Sequence, residues 1–271
     1  KLFLEAQNEF TDYDFEGSGI SVLLDILAYN THYLGFNMNM LANEMFLDSA
    51  SLRSSVVSHA KTLGYETASN RAAKAEVNVI LFDSVKTTGT LSAGTVFTTS
   101  VDDIDYQFVT AESFTASNSG SQIKFENIPI FEGTFVTTRI TVDQTDVDQR
   151  FVIPDNRADT NTLVVVVQTS SSDSSSTTFT KATDISQVSS TSNSYFIQEV
   201  ENGKHEVYFG DGVIGKALSD GNIVILSYVV TNTTIANTAS VFSNAAAIDT
   251  VVDVSVETVS PASGGAGAET I

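Results

Sequence analysis

Residues 208–218 read YFGDGVIGKAL. Gly210, Gly212 and Gly215 satisfy the G-x-G-x-x-G spacing of dinucleotide loops, and Gly210 to Lys216 satisfy the G-x-x-x-x-G-K of phosphate loops. Either pattern holds phosphate only where a strand enters the loop and a helix leaves it, so that helix N-terminal amides meet the anion. The entering strand is legible in Glu206-Val207-Tyr208-Phe209. The leaving helix is not: Ala217-Leu218 gives way to the turn residues SDGN at 219–222 and then to IVILSYVV at 223–230, a strand. Ala217 has no hydroxyl for a magnesium ion, and Asp211 puts a carboxylate where phosphate would sit. The stretch therefore reads as a structural glycine loop in a broad β-hairpin, its glycines supplying positive φ and close backbone approach. It implies no nucleotide cofactor.

On either side of this loop, the period of the apolar residues divides the chain. Over 21–47 there is no Pro and one Gly, and Val22, Leu23, Ile26, Leu27, Tyr33, Leu34, Met38, Leu41, Met45 and Phe46 recur at three- and four-residue steps. This predicts a long helix whose wide apolar stripe is contacted on more than one side. A second helix follows, with Asp48 or Ser49 as N-cap, Leu52, Val56, Ala60 and Leu63 as its buried edge and Gly64 just past its end. From Ala75 the period becomes two, in runs such as AEVNVIL at 75–81, TVFTT at 95–99, DYQFV at 105–109 and QIKF at 122–125. The run LVVVV at 163–167 is the most apolar and is expected to be central and buried on both faces. Residues 169–178, almost entirely Ser and Thr, fit a flexible linker and a solvent-facing strand pair equally well. The fold class is α+β: an N-terminal helical hairpin, then a predominantly antiparallel all-β region. The domain reading is a helical region over 1–73, a β domain over 74–194, a second β block packed with it over 195–260, and a glycine-rich segment over 261–271.

Composition narrows the function. The 271 residues carry 13 Lys+Arg against 33 Asp+Glu, a formal charge of −20, which repels nucleic acid and anionic membranes and argues against both as partners. Without cysteine there is neither a disulfide nor a thiolate metal site. The acidic groups Asp102, Asp103 and Asp105, and Asp143, Asp146 and Asp148, lack the spacing of a calcium loop and read as solvated loop charges. His32, His59 and His205 have no triad or metal-ligand neighbours in sequence, and no Ser sits in a nucleophile elbow. No catalytic, metal-binding or cofactor-binding residue is assigned, and the expectation is a non-enzyme. The opening KLFLE carries no signal peptide and no initiator Met, so a piece of a longer protein is expected.

Three ordered stretches carry a family resemblance: DFEGSGISVLLDILAYNTHYLGFNMNMLANEMFLDSA with SVVSHAKTLGY, within 14–65; QRFVIPDNRADTNTLVVVV at 149–167; and YFIQEVENGKHEVYFGDGVIGKALSDGNIVILSYVVTN at 195–232. In these the chain resembles the large baseplate wedge proteins of contractile-tailed bacteriophages, of the baseplate J-like family. Its GGAGAET end resembles the segment that leads into a further helical part in such proteins. One departure is Thr231-Asn232-Thr233-Thr234, where the pattern has a glycine after the strand. The resemblance implies a virion structural subunit, assembled in the host bacterial cytoplasm, that joins wedges into a ring around the hub and relays baseplate rearrangement to sheath contraction. It implies pairing with itself as a homodimer within that ring, bundling of its helices with other wedge subunits, and contact with the hub or sheath-initiating subunit. Leu23, Leu27, Leu34, Met38 and Met45 then become the expected interface residues. A glycan- or receptor-binding β protein of the virion surface is the alternative, motivated by the Thr/Ser-rich strands and eight Tyr.

Overall fold

The computed structural model describes residues 19–83, 85–244 and 246–270. Its chain forms two compact units, one ending at Tyr65 and one spanning Glu66–Thr270. Helices followed by antiparallel sheets make it α+β.

In the first unit, α1 (Gly19–Glu44) is a single 26-residue helix. It stops short of the expected Leu47 although neither Gly nor Pro intervenes. The reason lies in its last carbonyls: Asn43 O accepts the Ser49 hydroxyl at 2.7 Å and Glu44 O the Nε2–H of His59 at 2.9 Å, so capping bonds from outside the helix serve them. Met45 consequently lies in the turn after α1. The next helix, α2 (Arg53–Thr62), has Leu52 as N-cap without a side-chain bond, which corrects the expected Asp48 or Ser49. The entrance is served instead by the Glu44 carboxylate, which accepts from Ser51 N at 3.0 Å, Ser51 Oγ at 2.8 Å and Leu52 N. The buried side chain of α2 is Val57; Val56 and Ala60 are half-buried, and Leu52 and Leu63 of the expected edge are exposed. Gly64 ends α2 as anticipated, at φ +76°, with Gly64 N bonded to Lys61 O and Tyr65 N to Ala60 O, the paired bonds of a Schellman motif.

The second unit holds two seven-stranded sheets. The first contains β1 (Lys74–Phe82), β2 (Thr88–Leu91), β3 (Val96–Val101), β4 (Ile104–Val109), β5 (Phe114–Ser119), β6 (Gln122–Glu132) and β14 (Val254–Ser263). Its main path runs β14-β1-β6-β4-β3, with β5 joining β6 to β2. The strict alternation of β1 buries Ala75, Val77, Val79 and Leu81 in a core with Phe97, Phe108, Ile123 and Ile130. The long β6 stays paired through a bulge at Asn127, φ +53°, whose N–H is taken by Asn78 Oδ1.

The second sheet contains β7 (Thr134–Thr141), β8 (Phe151–Val152), β9 (Ala158–Gln168), β10 (Ser176–Lys181), β11 (Ser194–Glu199), β12 (His205–Phe209) and β13 (Ile223–Val230), in the order β7-β13-β9-β10-β11-β12-β8. Only β10 and β11 run parallel among its neighbouring pairs. The apolar run of β9 is central, but it buries Leu163, Val165 and Val167 while Val164 and Val166 are half-covered, so the expected burial on both faces holds for one face. The Ser/Thr tract resolves as a hairpin: Thr169 N bonds Ser175 O, and Ser176 to Phe179 pair with β9. Residues 195–260 contribute β11, β12 and β13 to this sheet and β14 to the other. Pro261–Ser263 finish β14, and the glycine-rich residues beyond lie beside 68–71 through paired Arg71–Ala266 bonds. The two sheets meet through Val109, Ala111 and Val229, with Phe131 and Phe135 packed on them.

Candidate interaction surface

Helix α1 shows why its apolar residues matter. At 3.6 residues per turn, Leu23, Leu27, Leu34 and Met38 lie within about 60° of arc and form one stripe. Val22, Ile26, Tyr29, Tyr33, Phe36 and Met40 form a second, centred roughly 130° away. Asp25, His32, Asn39 and Asn43 form a polar strip in the wider sector that remains, which also carries Leu24, Ala28, Thr31, Gly35 and Ala42. Leu23, Leu27, Leu34, Met38 and, in the turn beyond, Met45 are each more than half exposed. The second stripe is exposed as well. It is stiffened by Tyr29 and Tyr33, whose rings meet edge to face at 4.6 Å and whose hydroxyls bond at 2.9 Å. Val22, Ile26 and Tyr33 of this second stripe already stand in the three- and four-residue pattern of the sequence, whereas the expected interface residues of α1 all belong to the first. Tyr29 is a member that the pattern did not name, although its i, i+4 spacing to Tyr33 marks it.

Helix propensity alone does not hold so apolar a surface in water; covering it against another apolar surface does. Each large side chain so covered contributes about 1.5–3 kcal/mol. The corner after α1 fixes its end. Hydrogen bonds, the backbone N–H of Ser51 first and the Ser55 hydroxyl second, lower the Glu44 carboxyl to about 2. It is therefore charged at neutral pH and stays bound to the entrance of α2.

The glycine loop is a separate feature, in the second unit. It is not a hairpin: β12 pairs with β11 and β8, whereas β13 lies between β7 and β9, so residues 210–222 cross from one part of the sheet to another. Gly212 and Gly215 have φ of +88° and +84°. A Cβ on Gly210 would stand 2.2 Å from Ile214 O, so the loop folds back on itself at that residue. Asp211 Oδ1 accepts Val213 N at 2.9 Å and Ile214 N at 3.0 Å, bonds that hold its carboxyl below the usual range, Ile214 contributing most. The loop's own carboxylate thus takes amides that a phosphate would need. Gly215 N and Lys216 N reach Ser189 O and Ser192 O, which anchors the loop to the segment before β11. Among the described residues no group of three or more His, Cys, Asp or Glu is arranged to hold a metal ion, and no helix is long and apolar enough to cross a membrane.

Two family models match the chain. Residues 1–65 match the model described as "Baseplate wedge protein gp6-like, helical domain", and residues 135–241 that described as "Bacteriophage baseplate wedge protein gp6, third domain". The class these matches support is a myovirus baseplate wedge protein. Among individual relatives, the baseplate wedge protein gp6 of Enterobacteria phage T4 is 32% identical over 273 residues, which cover 94% of this chain and 40% of that protein. The chain therefore spans less than half the length of this relative.

Proposed function

We propose that the chain is part of a structural, non-enzymatic subunit of a phage tail baseplate wedge, of the baseplate J-like kind, and that α1 joins a helix bundle with other wedge subunits. Leu23, Leu27, Leu34 and Met38, with Met45 at the corner, supply the apolar contact. The observation that carries this reading is an apolar arc on α1 that is exposed along its length, in a region similar to the helical domain of gp6-like wedge proteins. A helix with two apolar stripes fits two neighbouring helices. On this reading the subunit pairs with a second copy and links wedges into a ring around the hub. That ring carries the baseplate's change of shape to the sheath. Its place is the tail baseplate of the virion, and its assembly takes place in the bacterial cytoplasm. The glycine loop of Gly210, Gly212 and Gly215 serves as a scaffold in the β unit.

The test is co-assembly. Light scattering coupled to size exclusion is run on the chain alone and mixed with the other wedge subunits of the same phage, comparing wild type with the double change Met38→Lys, Met45→Lys. Wild type enters a larger stoichiometric complex. The variant keeps its thermal transition and stays out, because both positions are exposed in the single chain while a bundle would bury the two charges. A variant that assembles like wild type overturns the bundle.

A further inference from the structure

Two neighbouring features of the β unit are complementary in charge and apolar character. The first is the tip of the glycine loop, where Val213 is 73% and Ile214 43% exposed and Lys216 is exposed beside them. Such apolar side chains on a loop tip are made rigid here by the Asp211 bonds and by the anchors to Ser189 and Ser192. Lys216 has no ion pair among the described residues, in a chain of net charge −20. The second feature is an open groove of about 310 Å³ lined by Val142, Phe151, Phe209 and Leu218 with Asp143 and Asp146. Val147, 92% exposed, stands next to Asp146 in the chain. Gly210 and Leu218 line the groove and also flank the loop, so tip and groove share one surface.

We propose that residues 213–216 are a knob received by this groove on a second copy of the chain, with Val213 and Ile214 against its apolar floor and Lys216 against Asp143 and Asp146. The occupant follows from charge and geometry. A cation beside an apolar tip is complementary to a groove in which apolar side chains alternate with the carboxylates of Asp143, Asp146 and Glu206, and the chain carries that groove itself. Because tip and groove are adjacent, a two-fold axis between them inserts both knobs at once, the isologous arrangement of a closed dimer. A patch of this size gives a weak contact by itself, one that tethering of the subunits within a larger assembly strengthens. The inference rests on the pairing of copies proposed above and names the surface that does it.

The absence of native cysteine makes the test direct. Val213→Cys and Val147→Cys chains are oxidised mildly, separately and mixed. The mixture is expected to yield a disulfide-linked pair and the separate chains none. In the mixture, Lys216→Glu on the Val213→Cys chain lowers the yield about two- to fivefold, and Asp146→Lys on its partner restores it. The pair also forms when both chains carry Met38→Lys, so failure of the helix bundle and failure of this contact are read apart. No crosslink in the mixture, or crosslinking of Val213→Cys with itself to the same extent, overturns the proposal.

Discussion

The carboxylate of Glu132 receives two donors from Asn232: the backbone N–H at 2.9 Å on Oε2 and Nδ2 at 2.8 Å on Oε1. Thr231 Oγ1 adds a third bond at 2.7 Å. Glu132 ends β6 of one sheet and Thr231 follows β13 of the other, so one buried carboxylate fastens the two sheets together. It also explains the turn where the family pattern has a glycine. Thr233 adopts φ +69°, uncommon for a β-branched residue, with its N–H on Thr231 Oγ1. Glycine is needed instead at two chain crossings nearby: a Cβ on Gly133 would meet Val230 O at 2.1 Å, and one on Gly265 would meet Thr233 O at 2.1 Å.

Replacing Glu132 by Gln keeps one oxygen acceptor and turns an N–H₂ towards the donor or donors of the other. The change is expected to lower unfolding stability by about 1–3 kcal/mol, and Glu132→Ala by more, because the Thr231 hydroxyl is then buried without this acceptor and the partly buried donors of Asn232 lose theirs. Urea denaturation monitored on the β signal measures this. Equal midpoints for wild type and the Gln variant would show that the carboxylate is not what holds the junction.

For the glycine loop, Asp211→Ala is expected to speed hydrogen exchange at the amides of Val213 and Ile214, whereas Asp211→Asn, which keeps an acceptor, leaves them protected. Native-state exchange by NMR distinguishes the two. Unchanged exchange in the Ala variant would mean the backbone holds the loop without the side chain.

The α1–α2 corner is expected to loosen in acid. The Glu44 carboxyl titrates near 2 in the folded chain, below its ordinary value of 4.5. A carboxyl depressed by folding contributes stability that is complete above the ordinary value and is lost as pH falls from about 4.5 towards 2. Helical circular dichroism, or the Leu52 amide shift, should follow that window in wild type and lose the step in Glu44→Gln. A step that persists in the variant assigns it to another group.

Two glycines should respond oppositely to alanine. Gly35 lies inside α1 with open space where a Cβ would go, so Gly35→Ala is expected to stabilise the helix by roughly 0.5–1 kcal/mol. Gly210→Ala has no room, and a loss of about 1–3 kcal/mol is expected from the displaced loop. Thermal melts of the two variants supply the comparison, and a neutral Gly210→Ala would mean that the loop can reopen without cost.

Much of this was legible from local pattern, because period is a property of neighbours in sequence. The three- and four-residue steps of α1, Gly64 as its neighbour's terminator, the alternation of β1 and the central place of Leu163 to Val167 all follow from where a side chain must point. So does the rejection of a phosphate site at Gly210 to Lys216, which needed only the strand after the loop. Tertiary structure decided whatever depends on bonds between residues distant in sequence. The capping of α2 by Glu44 and the hairpin of the Ser/Thr tract are short-range bonds that composition and period do not register, whereas the crossing of β12 to β13, where a hairpin was expected, is set by β7 and β9, partners that no short window contains. The same holds for Glu132, an unremarkable acidic residue in its own stretch, which becomes the fastening of two sheets only because Asn232 arrives one hundred residues later with two donors to satisfy.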